Sequence, residues 1–300
     1  MNKIPVGETI SQAYSFGFMR FLSVLGVTWF PYLAMLAICG GLAYLAAPEL
    51  IRAIAHGQVD QAVLMANVPH LVGIASLIWI LFFIAACMVR VGLLRLALGQ
   101  HPGPVFIFFS LGSEVWMMAG AMILALLIVI LVAILSAVAV VAIWFGSGMI
   151  SIPAAVNIIR AVAIIAAVLW FIYFYIRLLF FLPAVVVAEK EIGFGRAWTL
   201  GGGNFWRIVA VTIVVFVPVL IGFSMVETAI TGPFMFPMTF LQHLDQMKPE
   251  DFTKTLAHQL SLLGPVYAVL LFIRTILFEG LGAGTVGSAY RGVIPASVSE

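Results

Sequence analysis

Six long apolar runs, separated by shorter polar breaks, organise this chain. They lie at about Leu22–Ala47, Leu71–Leu98, Val115–Phe145, Ala154–Leu182, Trp206–Val226 and Gly264–Gly287. Each reaches the roughly 20 residues that carry a helix through a hydrocarbon core. Pro31 and Pro218 fall inside two of them and predict kinks.

Between the runs lie segments of mixed character. Val6–Arg20 carries Ile10, Tyr14, Phe16 and Phe18 among Gly, Glu, Thr, Ser and Gln. It is too polar to span, and it predicts an interfacial helix with Arg20 at the headgroup boundary. Val105–Leu111 is a short aromatic surface segment after the breaker cluster Gly99–Pro104, and Ile192–Leu200 is a third surface segment. Pro48–His70 and the uncharged stretch Gly146–Pro153 read as loops. In the longest polar stretch, Glu227–Ser261, Pro249-Glu250-Asp251 opens a helix, and Phe252, Leu256, Leu260 and Leu263 recur at helical spacing.

The surface segments resemble one another. Ala13-Tyr14-Ser15-Phe16-Gly17 precedes Phe21, Phe108-Phe109-Ser110-Leu111-Gly112 precedes Trp116, and Ala197-Trp198-Thr199-Leu200-Gly201 precedes Phe205. An aromatic anchors at headgroup level, the hydroxyl of Ser15, Ser110 or Thr199 satisfies backbone at the turn, and the glycine permits the change of direction. The expected fold is therefore an all-α polytopic membrane protein. It has six transmembrane helices arranged as three repeats of an interfacial helix plus two spans, at about 5–99, 100–188 and 189–292, in one membrane domain over 1–300.

Composition strengthens this picture. Only 9% of residues are charged, against roughly 25% in soluble domains, and 64% are hydrophobic. The net charge of +2 and the scattering of basic residues at helix ends give no basic patch and argue against a nucleic-acid partner. Cys39 and Cys87 fall at different depths in two runs, so no disulfide is expected. The N-terminal segment has no secretory cleavage pattern, and the first run reads as an anchor. Lys3, Arg20, Arg90, Arg95, Arg177, Lys190, Arg196, Arg207 and Arg291 fall on the side of the termini, against Arg52, Arg160, Lys248 and Lys254 on the other. The bias predicts cytoplasmic termini.

Charges inside apolar runs are the candidate chemistry. Arg274 sits deep in the sixth run, where an unpaired charge costs at least ~2.5 kcal/mol. Glu279, five residues on, lies about 140° around the helix, so each needs a partner on another helix or a polar interior. Arg90 and Arg177 lie near the terminal-side ends of their runs and, with Arg207, are candidates for contact with lipid headgroups. Gly282–Gly287 spells GxGxxG but follows no strand. Gly280, Gly284 and Ser288 instead form a stripe suited to close helix packing. The five histidines show no metal-ligand spacing. No nucleophile–base pair, phosphate loop or catalytic carboxylate pair is present, so neither a metal nor a cofactor is expected, and an enzyme is unsupported.

The run Arg177-Leu178-Leu179-Phe180-Phe181-Leu182-Pro183-Ala184-Val185-Val186-Val187, with Glu189, Gly193, Ala197-Trp198 and Gly203-Asn204-Phe205-Trp206-Arg207, resembles a signature of two related groups. They are the membrane domain attached to some bacterial glycerophosphoryl diester phosphodiesterases and the YciC-like inner-membrane proteins. Val6-Gly7-Glu8 with Ala13 is similar to the opening of such domains. The resemblance implies a multi-pass protein of a bacterial inner membrane. It carries over no catalytic residue, because the phosphodiesterase chemistry belongs to a soluble barrel that is not present here. The expected role is non-enzymatic, in membrane or lipid homeostasis or in support of a protein partner, with membrane lipids, an anionic one included, as partners. The alternatives are a small transporter using a polar interior near Arg274 and Glu279, and an intramembrane lipid-modifying enzyme.

Overall fold

A computed structural model describes residues 2–46, 48, 61–100, 106–148, 152–231 and 249–294. Of the loop predicted at 48–70, residues 49–60, with Glu49, Arg52, His56 and Asp60, lie outside the described residues, as do 101–105, 149–151 and 232–248, whereas 61–70 is helical and not loop. The backbone of the predicted amphipathic helix is described, but the side chains of Phe252, Leu256, Leu260 and Leu263 are not.

The described residues are helical, with no strand among them. The order is α1 (Val6–Tyr14) running into a π-helical turn (Ser15–Met19), α2 (Phe21–Ala46), α3 (Gln61–Ala97), α4 (Ser113–Ser147), α5 (Pro153–Leu179), α6 (Leu182–Glu189), α7 (Phe194–Gly201), α8 (Phe205–Thr231) and α9 (Pro249–Val293). Six helical stretches are long and apolar enough to cross a membrane: Phe21–Leu42, Val72–Ala97, Ser113–Ser147, Pro153–Glu189, Phe205–Ile230 and Pro265–Val293. The protein is therefore a multi-pass, all-α membrane protein. Pro31, Pro69, Pro218 and Pro265 all lie inside helices. Neighbouring helices and polar side chains can re-satisfy backbone groups freed by such prolines in a membrane.

Several boundaries differ from the sequence expectation. The predicted amphipathic segment and the sixth span are one helix of 45 residues, α9. The fourth run is interrupted at Phe180–Phe181, because Pro183 has no amide hydrogen to donate back into α5 and instead starts α6. The middle surface segment, 106–112, contains no helix. It is too short to offset helix nucleation once Gly112 has been taken as the N-cap of α4.

The long helices pair as three hairpins, α2 with α3, α4 with α5, and α8 with α9. Their terminal-side ends meet in one core formed by Cys87–Ala97 of α3, Leu182–Val187 of α6 and Ile276–Val293 of α9. α6 is buried all round, as expected of a helix without a polar face. Each surface segment leans on the second helix of another hairpin: 106–112 on α3, α7 on α5, and α1 on α9. Glycine makes each approach possible. A Cβ at Gly92 would lie 2.8 Å from the Phe108 ring, at Gly201 2.7 Å from the Arg177 carbonyl oxygen, and at Gly17 2.8 Å from Leu281 Cδ2.

Polar ties close this end of the bundle. Asn204, 2% exposed, accepts a hydrogen bond from the Ile4 amide (3.0 Å) and donates to the Leu200 carbonyl (3.2 Å). Arg207 donates to the Ile4 carbonyl at 2.7 Å, and the Tyr14 hydroxyl donates to the Val214 carbonyl at 2.8 Å. Arg95 of α3 pairs with Glu114 of α4 at 2.7 Å. Away from the termini α4 and α5 continue as an apolar hairpin with residues such as Leu131, Phe145 and Leu169 exposed. At its tip Arg160 donates to Ser147 Oγ and the Trp144 carbonyl and lies 4.1 Å from the Trp144 ring centroid.

Candidate functional site

Directly below the packed core is a cavity of about 700 Å³. α9 contributes its longest wall, from Val286 down to Arg274, twelve residues or about 18 Å of helix. Arg90 and Leu94 of α3, Met122 of α4, Tyr175, Ile176 and Leu179 of α5, Phe180 just after it, Pro183 of α6, and Ile208, Thr212 and Phe216 of α8 complete it. The walls are apolar because the helix faces that form them are parts of membrane spans. Arg90, Tyr175 and Thr275 remain exposed, so the cavity is open on the side away from the core.

Three of the sequence-predicted polar residues converge here. Arg274 pairs with Glu227 of α8 at 3.0 Å and lies 6.0 Å from the Phe278 ring centroid. Glu279, one turn closer to the core, makes no hydrogen bond or ion pair with another described residue. The Arg90 guanidinium faces the same space, and its one hydrogen-bond acceptor among the described residues is Met122 Sδ at 3.6 Å, a weak acceptor. Arg90 and Glu279 line the same cavity without forming an ion pair. The cavity therefore offers one guanidinium and one carboxylate with unused hydrogen-bonding capacity, between apolar walls.

The other two candidate arginines are consumed by packing. Arg177 donates to the Trp198 carbonyl at 3.2 Å and to the Tyr173 hydroxyl at 2.6 Å, and lies 4.1 Å from the Trp198 ring centroid. It fastens α7 to α5. Arg207 holds the N-terminal backbone at Ile4.

The repeat residues are equivalent at two places of three. Gly17 and Gly201 are buried against helix backbones, preceded by buried Phe16 and Leu200, whereas Leu111 and Gly112 are exposed. Ser15 Oγ reaches Met19 Sδ at 3.6 Å, Thr199 donates to the Gly195 carbonyl at 2.6 Å, and Ser110 Oγ accepts from the Gly112 amide at 3.4 Å. Phe21 packs against the core, Phe205 meets the Tyr173 ring at a tilt with centroids 5.0 Å apart, and Trp116 is exposed.

Sequence reasoning missed Glu227, the partner of Arg274, because it assigned that residue to the polar stretch after the fifth run. It also did not single out Thr212 and Thr275, which add hydroxyls to the cavity. The signal available was a threonine in each of two runs that already faced a polar problem. No His/Cys/Asp/Glu group able to hold a metal occurs among the described residues. Comparison of the chain with family models, with curated proteins and with solved structures gives no match.

Proposed function

We propose that this protein binds a membrane lipid in the cavity below its packed core, as a non-enzymatic component of lipid homeostasis in a bacterial inner membrane. The observation that carries this reading is the cavity itself: open, apolar-walled, and supplied with a guanidinium at Arg90 that has no carboxylate in contact. An acyl chain matches walls such as Leu94, Ile176, Phe180 and Phe216, and a phosphate matches a guanidinium fork. On the terminal side, fully buried Phe181, Leu182, Leu281 and Leu93 stand across the bundle, which favours a binding pocket over a continuous pore. Cytoplasmic termini follow from the basic bias of the sequence.

Native mass spectrometry of the full chain released from its own membrane tests the reading. A phospholipid is expected to remain bound to the wild type and to be lost from Arg90→Gln. A ligand-free wild type, or equal retention by the variant, would sink it.

One observation favours a second reading, transport of a small polar solute. The Arg274–Glu227 pair joins α8 and α9 at the end of the cavity away from the core, where it could part and re-form. Cysteine introduced at Thr275 would then react with impermeant thiol reagents from both sides of the membrane. Reaction from one side only removes this reading.

A further inference from the structure

The charge pattern of the cavity specifies more than lipid. Several charges among the described residues are matched by contact: Arg95 with Glu114, Arg196 with Glu189, and Arg274 with Glu227. Arg90 and Glu279 are the exceptions within the cavity. Each faces the same space, each lacks an ion-pair partner within 4.0 Å, and they are of opposite sign. A charge left without a partner inside a membrane is costly, and two opposite charges held apart leave room for a ligand that bridges them.

We infer that the ligand is zwitterionic, carrying a phosphate for Arg90 and a primary ammonium for Glu279, the chemistry of a phosphoethanolamine group. This inference rests on the cavity being the lipid site. The guanidinium presents its donors as a planar fork suited to two phosphate oxygens. An ammonium has three donors, enough for the Glu279 carboxylate and for a hydroxyl such as Thr275 or Thr212. A purely anionic headgroup would satisfy Arg90 but set its remaining polar groups beside an uncompensated carboxylate. A quaternary ammonium would neutralise Glu279 without donating a hydrogen bond. The same pattern would accept a phosphoethanolamine group on a lipid or free in water.

The test uses the full chain in detergent with equal amounts of phosphatidylethanolamine, phosphatidylglycerol and phosphatidylcholine, reading bound lipid by native mass spectrometry. Wild type is expected to retain phosphatidylethanolamine over either competitor by about tenfold, the worth of one charge-assisted hydrogen bond. Glu279→Gln should abolish the preference over phosphatidylglycerol while still binding lipid, and Arg90→Gln should lose all three. Glu279→Asp, which keeps the charge, should keep the preference and serves as the control for folding. Soluble phosphoethanolamine is then added to the wild type. Displacement of the lipid identifies the free group as a sufficient ligand, and its failure assigns the site to the lipid. Lipid retained without selectivity, or a preference unchanged in Glu279→Gln, overturns the zwitterion and leaves the lipid site standing. Absence of any bound lipid together with no effect of phosphoethanolamine overturns both.

Discussion

The two ends of this bundle solve the same problem in different ways. At the end carrying the termini, helix ends meet closely, glycines admit neighbouring backbones, and Asn204, Arg207, Arg177 and Tyr14 satisfy carbonyls or amides on other segments. At the other end, α4 and α5 run on as an apolar hairpin whose side chains face outward, and its polar contacts are concentrated at Arg160. Lipid tails are as apolar as leucine, so apolar surface alone does not pull membrane helices together. Close packing and hydrogen bonds do. Among the described residues the packed end has both and the other end has few of either, and the cavity opens where one gives way to the other.

The sharpest way to break this contrast is a pair of truncations. Asn204→Ala removes two buried hydrogen bonds and leaves the Ile4 amide without its acceptor, so a loss of about 2–3 kcal/mol is expected in detergent unfolding. Leu131→Ala, on the exposed face of α4, should stay within about 0.5 kcal/mol. Similar losses at both sites would erase the difference between the ends.

A glycine pair sharpens it next. In Gly201→Ala the new Cβ would meet the Arg177 carbonyl oxygen at 2.7 Å, costing about 1–3 kcal/mol of stability. Gly222→Ala in α8 has nothing within 4 Å, and should gain up to about 1 kcal/mol in thermal unfolding from helix propensity. A smaller effect is expected between the two ends, at Arg274. Its side chain is 38% exposed, so Arg274→Gln should cost only about 1 kcal/mol, and the double variant with Glu227→Gln should recover part of it in a thermodynamic cycle. The smallest effect is expected at Lys190, which caps α6 in the left-handed region at φ 54°. Lys190→Gly should stabilise by less than about 1 kcal/mol, showing that even the packed end keeps some backbone strain.

Much of the fold was legible because membrane spans are written in runs of apolar residues, and the six stretches appear where those runs lie. What failed to show depended on contacts between segments. The residues 106–112 look like their helical counterparts in sequence, yet Phe108 is wedged against Gly92 and the Phe106 carbonyl accepts from Trp29 Nε1, so the backbone is used differently. Arg90 and Arg177 looked alike in register. What separates them, Trp198 packed beside one and open space beside the other, depends on how α7 folds back on α5 and is not set by register. Arg274 and Glu279 could be flagged from the cost of a charge in an apolar run. Neither the Glu227 pairing nor the apolar walls of the cavity could be read in that way, since both depend on how helix faces rotate toward each other.

The clamp on Ile4 has a consequence for how the protein is made. Its partners, Asn204 and Arg207, lie about 200 residues later, and α1 also rests on α9. During synthesis α1 therefore emerges well before α8 and α9 and must wait for them before it finds its seat. Until then Ala13 and Phe16, buried in the finished protein, lack their cover. Ile4 and α1 thus act as a latch that closes only once α8 and α9 are made, and a product cut short before Asn204 would leave this segment undocked and open to proteases.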